Sequence, residues 1–364
     1  KKKKTLLNTT ADDSVITDTI LKIATFNLFN YLEPPNAYYE FERIYTAEQW
    51  ARKQRWLVNY LTEHQPDVIG FQEVFSIESL KELVKEQGYA YFAVVDEPQV
   101  IDDFIYKRPV VAIAAKYPIA EVARVEHDHE LAETLGLTED FTFSRKVLRA
   151  TITLPHIGNT DCYVVHFKSK RSMIELDEQN KDLTPEKNII ELLKADIAGS
   201  WGSTIQRGSE ATLLMMDIIA RRESSQNPMV LMGDFNNDLA DGVLSHLLTN
   251  TLRFAPTFDS KTYLAKYCLN DAWQLFAKSQ LNLANQNNEN TVDLKRKPTH
   301  YFGASSSVLD YILLSCEFDS SYDDSFFEVS HYHTYDRHLI NPEFERDDLS
   351  TDHGVVLISL ALRS

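Results

Sequence analysis

MGDFNND, residues 232–238, places Asp and Asn side chains directly after a short apolar run. The run Met229 to Met232 predicts a buried strand, and Gly233 predicts the point where that strand ends. Asp234 and Asn236 are therefore expected just beyond a rigid strand end. Whether these residues only form a turn or take part in a reaction depends on which other side chains the fold brings close to them.

Strand and helix patterns alternate from the start of the chain. LKIATFNL, residues 21–28, predicts a strand ending at Asn27, and DVIGFQEV, residues 67–74, predicts one finishing at Glu73. Between them, AEQWARKQRWLVNYLTEH, residues 47–64, has helical spacing. Further strands are predicted over PVVAIAAKYP, KVLRATITLP, CYVVHFKSK, VLDYILLS and GVVLISLAL, and a helix over SEATLLMMDIIARR. The pattern predicts about ten strands with helices interspersed.

The composition is that of an ordinary globular protein, with 43% hydrophobic residues, 25% charged residues and a formal net charge of -17. This charge argues against a protein that coats a polyanion, because neutralising phosphates needs a basic surface. It leaves room for an enzyme with a local basic cleft. No apolar stretch approaches the roughly 18–20 residues of a membrane span, so none is expected. No signal peptide is visible, and both a cytoplasmic and an exported protein remain open.

Nothing in the sequence forces a division into several domains. We expect an N-terminal extension over 1–20 and one domain over 21–364, with 171–208 as an insert beside the cleft. A monomer is the simplest expectation. The three widely spaced cysteines fit neither a disulfide framework nor a zinc cluster and are expected to be buried, inert thiols.

Polar side chains recur at the ends of the predicted strands. The recurring set is Asn27, Glu73, His166, Asp234, Asn236, Asp310, Asp352 and His353. Each one alone is more typical of a turn or an exposed cap, and His166 alone is more typical of a structural histidine. A recurrence this regular is difficult to explain by turns. The set therefore predicts a single cleft lined by strand ends.

These residue types suit the hydrolysis of a phosphoester. Glu73 with Asn27 can hold Mg²⁺, which prefers a few oxygen ligands and retained waters. Asp234 can orient a water in line with phosphorus. The two histidines and an amide of the set can donate to the charge on the equatorial oxygens. Asp310 can fix the tautomer of a histidine and stabilise its charged form.

Six ordered blocks resemble the endonuclease/exonuclease/phosphatase superfamily, which includes the DNase I-like nucleases. The blocks are IATFNL, DVIGFQEV, VVHFKS, MGDFNND, LDYIL and STDHGVV, and they span residues 21–361. HFKSKR, residues 166–171, is similar to a bacterial branch described as predicted nucleases. The resemblance implies a four-layered α/β sandwich, in which two packed mixed β-sheets are flanked by helices. SSSVLDYIL lacks the signature of the inositol-polyphosphate phosphatases, which makes that subgroup less favoured.

The resemblance also implies a metal site. It makes Glu73 the main metal ligand with Asn27 beside it, and it places Asp352 near the metal or near a second cation. The implied cofactor is Mg²⁺, with Mn²⁺ or Ca²⁺ as substitutes.

The remaining strand-end residues take catalytic roles by the same resemblance. Asp234 would position or deprotonate the attacking water, and Asn236 and His166 would contact the phosphate. His353, paired with Asp310, would stabilise the phosphorane-like transition state.

Basic residues near the candidate phosphate histidine predict a cationic lip that captures a phosphate-rich substrate. Its candidates are Lys168, Lys170 and Arg171, with Arg145, Arg149 and Arg207 as weaker members. The simpler interpretation is a solvated, charged strand end. A polar loop is predicted over 330–351, and its histidines His331, His333 and His338 could form a second metal site, although a plain loop is the simpler interpretation.

Three functions remain open at this point. A Mg²⁺-dependent phosphodiesterase, most simply a nuclease, explains the whole residue set and the basic lip. A phosphomonoesterase or phospholipid-type phosphoesterase suits the acidic balance, because such substrates need no basic face. A non-catalytic scaffold is disfavoured, since such a protein is expected to have lost one or more of the required residues.

Overall fold

The computed structural model describes residues 19–176, 180–252, 260–290 and 293–363. All but the last two positions of the expected extension, 1–20, lie outside these ranges, and the first strand begins at Thr19. The division into an extension, one domain and an insert stays a prediction. Within the described residues, no helix is long and apolar enough to cross a membrane.

Two six-stranded sheets form the frame. The first contains, in order across it, β16 (Phe327–Tyr335), β17 (Val355–Leu362), β1 (Thr19–Tyr31), β3 (Val68–Val74), β7 (Val110–Ala115) and β4 (Tyr91–Ala93). The second contains β12 (Asn270–Asp271), β15 (Asp310–Leu314), β11 (Met229–Asp234), β10 (Gly158–His166), β9 (Leu148–Leu154) and β8 (Ile119–Arg124). In each sheet the central pair is parallel and the other neighbours are antiparallel.

Smaller strands and the helices complete the structure. A three-stranded sheet contains β2 (Ala37–Tyr38), β6 (Ile105–Lys107) and β5 (Gln99–Ile101), and a hairpin contains β13 (His300–Phe302) and β14 (Ser305–Ser307). The α-helices are α1 (Ala47–His64), α2 (Ile77–Glu86), α3 (His129–Thr134), α4 (Pro185–Ser224), α5 (Ser260–Ala265), α6 (Ala272–Gln286), α7 (Arg337–Ile340) and α8 (Phe344–Asp347). Short 3-10 turns cover Ser245–Leu248 and Cys316–Phe318.

Alternating strand residues build three apolar cores. Ile23 of β1 and Val164 of β10 point into the core between the sheets. Their neighbours point outward: Ala24 packs in the core under α1 and α2, and Val165 packs in the core under α4. Because successive side chains of a strand face opposite sides, each central strand serves two cores. The layers are helix, sheet, sheet and helix, which confirms the predicted four-layered sandwich of two mixed sheets.

The backbone of residues 232–238 packs closely against strand β10 at Gly233. Strand β11 ends at Asp234, one residue beyond the predicted end at Gly233. Gly233 has φ 152°, and a Cβ there would lie 2.0 Å from the carbonyl oxygen of Val165. Only glycine allows the parallel strands β10 and β11 to approach this closely just before Asp234.

Two segments differ from their predictions. The chain from Pro185 to Ser224 is one helix of 40 residues, which begins after the N-cap residue Thr184 and includes the helix predicted over 209–222. The predicted loop over 330–351 was wrong, because its first part completes strand β16 and two short helices follow. The three cysteines are buried and unpaired, as expected.

Candidate active site

The register of the two sheets brings the predicted strand-end residues to one edge. His166 pairs with Asp234 across the parallel strands β10 and β11. Asp310 opens the antiparallel strand β15 and pairs with Asp234 from the other side. The carboxyl ends of parallel strands and the amino ends of their antiparallel neighbours share an edge, so these side chains face one space.

Asn27 joins the two sheets at this edge. Its Nδ2 donates to Oε2 of Glu73 at 3.0 Å and to Oδ2 of Asp234 at 3.0 Å. Its Oδ1 accepts from the backbone N–H of Phe29 at 2.9 Å, and the Thr351 hydroxyl donates to its backbone carbonyl at 2.7 Å. Asn27 is 1% exposed, and its hydrogen bonds to Asp234 and Thr351 are buried. The amide therefore sets the relative positions of two carboxylates from different sheets.

His353 lies between two buried carboxylates. Its Nδ1 is 2.8 Å from Oδ2 of Asp310, and its Nε2 is 3.5 Å from Oδ2 of Asp234. Burial alone would lower the pKa of His353, but the carboxylates of Asp310 and Asp234 hold that pKa well above its ordinary value. His353 is therefore an imidazolium at neutral pH, with its charge inside the protein.

The two carboxylates respond in opposite directions. Burial opposes ionisation of Asp234, yet His353 and His166 hold the pKa of Asp234 below the usual range of an aspartate. Burial raises the pKa of Asp310 to about 6, although the imidazolium of His353 lowers it. Both carboxylates are ionised at neutral pH, but Asp310 is the one that a mildly acidic solution protonates.

His166 and Asn236 face the same carboxylate. Nε2 of His166 lies 3.4 Å from Oδ2 of Asp234, and its Nδ1 is buried with no hydrogen-bond partner in the part of the chain that the structure describes. The backbone N–H of Asn236 donates to Oδ1 of Asp234 at 2.9 Å, and its side-chain Nδ2 donates to the carbonyl of Phe167 at 2.8 Å. Asn236 holds φ at 52°, a left-handed conformation that asparagine tolerates.

The cleft carboxylates fit a hard divalent cation. The side chain of Asp352 is 45% exposed, yet its Oδ1 is buried and has no hydrogen-bond partner among the described residues. Burial raises the pKa of Asp352; His353 lowers it, and the nearby carboxylate of Glu73 raises it again. Carboxylate oxygens are the ligands that Mg²⁺ and Ca²⁺ prefer. The amide oxygen of Asn27 is already occupied by Phe29, so in this arrangement Asn27 orients Glu73.

Sequence reasoning missed two residues beside this group. His300 lies at the start of the short strand β13, and its ring is 5.2 Å from that of His353. Ligand atoms of His300, Asp352 and His353 lie within 4.8 Å of one another, as do those of Asp234, Asp310 and His353. Lys53 of α1 is 4% exposed and donates to the Ser350 carbonyl at 2.9 Å. Burial lowers the pKa of Lys53 to about 7, while Glu73 and Asp352 oppose that change.

The strand-end residues open into a cleft of about 1530 Å³. Glu73, His166, Asp234, Asn236, Asp352 and His353 line it, together with Arg145, Lys168, Lys170 and Arg171. The predicted strong candidates of the cationic lip are thus in the cleft wall. Nη1 of Arg145 donates to the Phe167 carbonyl at 3.0 Å, and Arg171 is largely exposed near Glu175.

Two of the three weaker basic candidates, Arg149 and Arg207, lie outside the cleft lining. Arg149 pairs with Glu121 at 2.8 Å and is not part of the cleft lining. Arg207 is 2% exposed and donates to the carbonyls of Lys168 and Ser169 at 3.1 and 3.3 Å. The interpretation of these two as substrate-facing cations was wrong, since one is held at the sheet surface and the other is buried behind the lip.

A buried carboxylate on α4 holds the lip in place. Glu210 is 1% exposed, and its two oxygens accept the backbone N–H groups of Ser144 at 2.6 Å and Lys168 at 2.7 Å. These bonds tie the segment that carries Arg145 to the segment that follows His166. A turn of α4 therefore positions both basic parts of the cleft wall, which no sequence signal had indicated.

The histidines proposed as a second metal site lie elsewhere. His331 and His333 are on strand β16, and neither belongs to a group of candidate ligand atoms among the described residues. Nε2 of His338 donates to the backbone carbonyl of His353 at 2.6 Å. His338 thus supports the backbone of the cleft histidine.

The protein resembles known families in sequence profile and in fold. A profile described as the Endonuclease/Exonuclease/phosphatase family matches residues 24–320. No curated protein sequence matches the chain. The human nocturnin catalytic domain is 14% identical, with 94% of each chain covered and a TM-score of 0.53.

Two further solved structures show the same fold. D. rerio TDP2, humanized by 14 mutations, is 14% identical over 93% of this chain and 98% of its own, with a TM-score of 0.51. ANGEL2, described as a 2',3'-cyclic phosphatase, is 12% identical over 93% of this chain and 94% of its own, with a TM-score of 0.51.

Proposed function

The chain belongs to the endonuclease/exonuclease/phosphatase family of hydrolases, and on that premise we propose that it is a Mg²⁺-dependent phosphodiesterase whose substrate is a nucleic acid. The observation that carries the proposal is the buried group of Asp234, His353 and Asp310, which opens beside Glu73 into one cleft. Such a group places a fixed anion and a fixed cation at one point of the cleft wall.

Asp234 orients the attacking water. Its depressed pKa keeps it ionised and makes it a weak base, so accepting a hydrogen bond from water suits it better than taking the full proton. Asn27 and the backbone N–H of Asn236 hold the two carboxylate oxygens. An anchored carboxylate converts water attack into a reaction between oriented partners.

His353 holds a positive charge beside the phosphate. Asp310 keeps the imidazolium protonated and fixes the ring, and the Nε2–H remains directed toward Asp234 and the cleft. A cation held in place before the reaction stabilises charge that develops on the phosphoryl oxygens. His166 and Asn236 border the same space and bind the scissile phosphate.

Glu73 and Asp352 hold the divalent cation, with Asn27 fixing the orientation of Glu73. When bound, a Mg²⁺ ion supplies Lewis-acid stabilisation of phosphoryl charge. The buried Oδ1 of Asp352, which has no hydrogen-bond partner among the described residues, supports this assignment.

The shape and charge of the cleft support a polymer. A cleft of about 1530 Å³ is larger than one phosphate needs, and Lys168, Lys170 and Arg171 line it together with His353. Basic side chains at a distance from the scissile bond suit neighbouring phosphates of a nucleic-acid backbone.

A second candidate, a phospholipid-type phosphoesterase, is favoured by one observation. Met173 and Ile205 are apolar members of the cleft lining, beside the basic lip. A charged nucleic-acid backbone makes no favourable contact with these apolar side chains, whereas an acyl chain or a lipid interface does.

The test is hydrolysis of DNA, RNA, phosphatidylcholine and bis-p-nitrophenyl phosphate after chelation and after Mg²⁺ is restored. We expect Mg²⁺-dependent turnover of the small diester and of one polymer, and Asp234→Asn should remove both. Absence of metal-dependent turnover on every substrate refutes the proposal that the protein is a Mg²⁺-dependent phosphoesterase. Release of inorganic phosphate from the monoester p-nitrophenyl phosphate in the same assay, without cleavage of any diester, refutes the proposal of a phosphodiesterase.

A further inference from the structure

The amino-terminal half of α4 presents large apolar side chains to solvent. At four-residue spacing they are Ile189, Leu193, Ile197 and Trp201, which are 64%, 58%, 63% and 65% exposed. Residues four apart lie on one side of a helix, so the four form a stripe. We call this stripe the α4 apolar face. A contiguous apolar patch of this kind on a globular protein marks an interaction surface.

The orientation of the helix is fixed by its opposite side. The backbone N–H of Met173 donates to the Gly199 carbonyl at 3.0 Å, and the Ser172 hydroxyl donates to the Ala195 carbonyl at 3.1 Å. A Cβ at Gly199 would lie 1.7 Å from Oγ of Ser172. Because this contact admits only glycine, the helix cannot rotate its apolar face inward.

The other end of the same helix is anchored in the core. Ala211, Leu214 and Ile218 are fully buried against the second sheet. One continuous helix of 40 residues therefore has a core half and a projecting half. The projecting half is a rigid support for the exposed stripe.

The α4 apolar face joins the cleft. Met173 and Ile205 line the cleft and are themselves 52% and 43% exposed. Lys170 and Arg171 lie in the cleft wall next to Met173. An apolar stripe that leads to the cations of a phosphate site matches a surface with an apolar interior and phosphate headgroups.

We propose that the α4 apolar face docks this protein on a zwitterionic phospholipid surface. A second copy of the chain is disfavoured, because each copy has a formal net charge of -17 and pairing would bring these charges together. An anionic lipid surface is disfavoured for the same reason. A nucleic acid would leave the aliphatic stripe in water. The phosphates of zwitterionic headgroups can pair with the cations of the cleft wall, and the acyl region below them can take up the apolar side chains.

Docking in this way brings headgroup phosphates to the mouth of the cleft. The inference does not rest on the proposed function, since adsorption to vesicles is measured without hydrolysis. Its failure and the failure of the diesterase are therefore separate results.

The test is cosedimentation of the full chain with phosphatidylcholine vesicles. Wild type should bind, and Leu193→Glu with Ile197→Glu should weaken partitioning by about tenfold or more. Phe326→Glu is the matched control, because Phe326 is 73% exposed and lies outside the cleft and outside α4. The control should bind as wild type does. An unchanged circular dichroism spectrum shows that the double variant is folded.

Fluorescence reports the contact directly. Trp201 is largely exposed whereas Trp50 and Trp56 are buried, so vesicles should shift the emission to the blue in wild type and less in Trp201→Phe. Absence of binding overturns the proposal, and so does binding that survives the double substitution. A dimer that the double substitution dissociates, without vesicle binding, assigns the face to a second copy and also overturns it.

Discussion

Replacing Asp310 by Asn tests the charge arrangement on which the proposed chemistry depends. The substitution keeps the size of the side chain and removes its charge. Asp310 is 0% exposed, and its Oδ2 lies 2.8 Å from Nδ1 of His353. A buried pair of unit charges about 4 Å apart is worth about 4 kcal/mol at an effective dielectric constant of about 20. The substitution therefore removes most of the electrostatic energy that stabilises the imidazolium form of His353.

We expect kcat for bis-p-nitrophenyl phosphate to fall about 100- to 1000-fold, or roughly 3–4 kcal/mol in barrier height. KM should change little, because the charge of His353 matters most when phosphoryl charge develops. The assay is initial-rate kinetics at saturating Mg²⁺.

The pH profile separates this mechanism from a loss of structure. In wild type the active form needs Asp310 ionised and His353 protonated, so the rate should rise as pH increases through about 6 and fall at alkaline pH as the raised pKa of His353 is passed. Asp310→Asn should remove the acidic limb and move the alkaline limb to lower pH.

The pH dependence of the folding stability should change in the same direction as the alkaline limb of the rate. A histidine whose folded pKa is raised stabilises the fold fully below its unfolded pKa of about 6.5 and loses that contribution as pH rises through the folded pKa. In Asp310→Asn the loss should therefore begin at lower pH, as measured by thermal unfolding across a pH series.

Asp161→Asn is the matched control. Asp161 is 1% exposed, and it pairs with Arg221 at 2.8 Å at the opposite end of β10. Its substitution also disturbs a buried ion pair and should lower the unfolding temperature, while kcat of the folded protein stays within about threefold of wild type. A kcat for Asp310→Asn that is equally close to wild type, with both limbs unmoved, would refute the reasoning.

Three further predictions address the water, the cation and the lip. Asp234→Ala should lower kcat by about 10³-fold or more, because the attacking water loses its anchor, with circular dichroism unchanged. Glu73→Gln should weaken Mg²⁺ binding by about tenfold or more in isothermal titration calorimetry, and unchanged affinity would exclude Glu73 as a ligand. Lys170→Ala with Arg171→Ala should raise KM for DNA and reduce its salt dependence, while KM for bis-p-nitrophenyl phosphate stays constant. An equal effect on both substrates would place these cations at the scissile phosphate.

The sequence predicted best where local signals agree. Helix α1 covers Ala47–His64 as predicted, because Thr46 and Gln49 form a reciprocal capping box and Gln65 adopts a left-handed conformation at the other end. The apolar strands of both sheets were predicted correctly because their apolar runs are also clear local signals. Strands of two or three residues, such as β2 and β12, carry too few residues for a period to show.

The failures have a common cause in burial, which local periodicity does not report. Strand β16 contains His331 and His333 on an exposed edge of the first sheet, so its polar residues predicted a loop. Residues 171–208 were predicted as an insert because the segment is longer than a simple link between a strand and a helix, and that assignment stays a prediction. Lys53 and Glu210 look like ordinary polar helix residues, and only tertiary packing shows that they are buried.

Residues from both sheets form the cleft, and Asn27 shows why the sequence could list these residues but not the contacts among them. One amide group holds Glu73 of the first sheet and Asp234 of the second through bonds of equal length. The Thr351 hydroxyl bonds to the backbone of Asn27 and accepts the N–H of His353, which ties the histidine to the same point. A shift between the sheets would therefore move the proposed water site, the proposed cation site and the imidazolium together. The core between the sheets, packed around Ile23 and Val164, thus keeps the distances among these side chains constant.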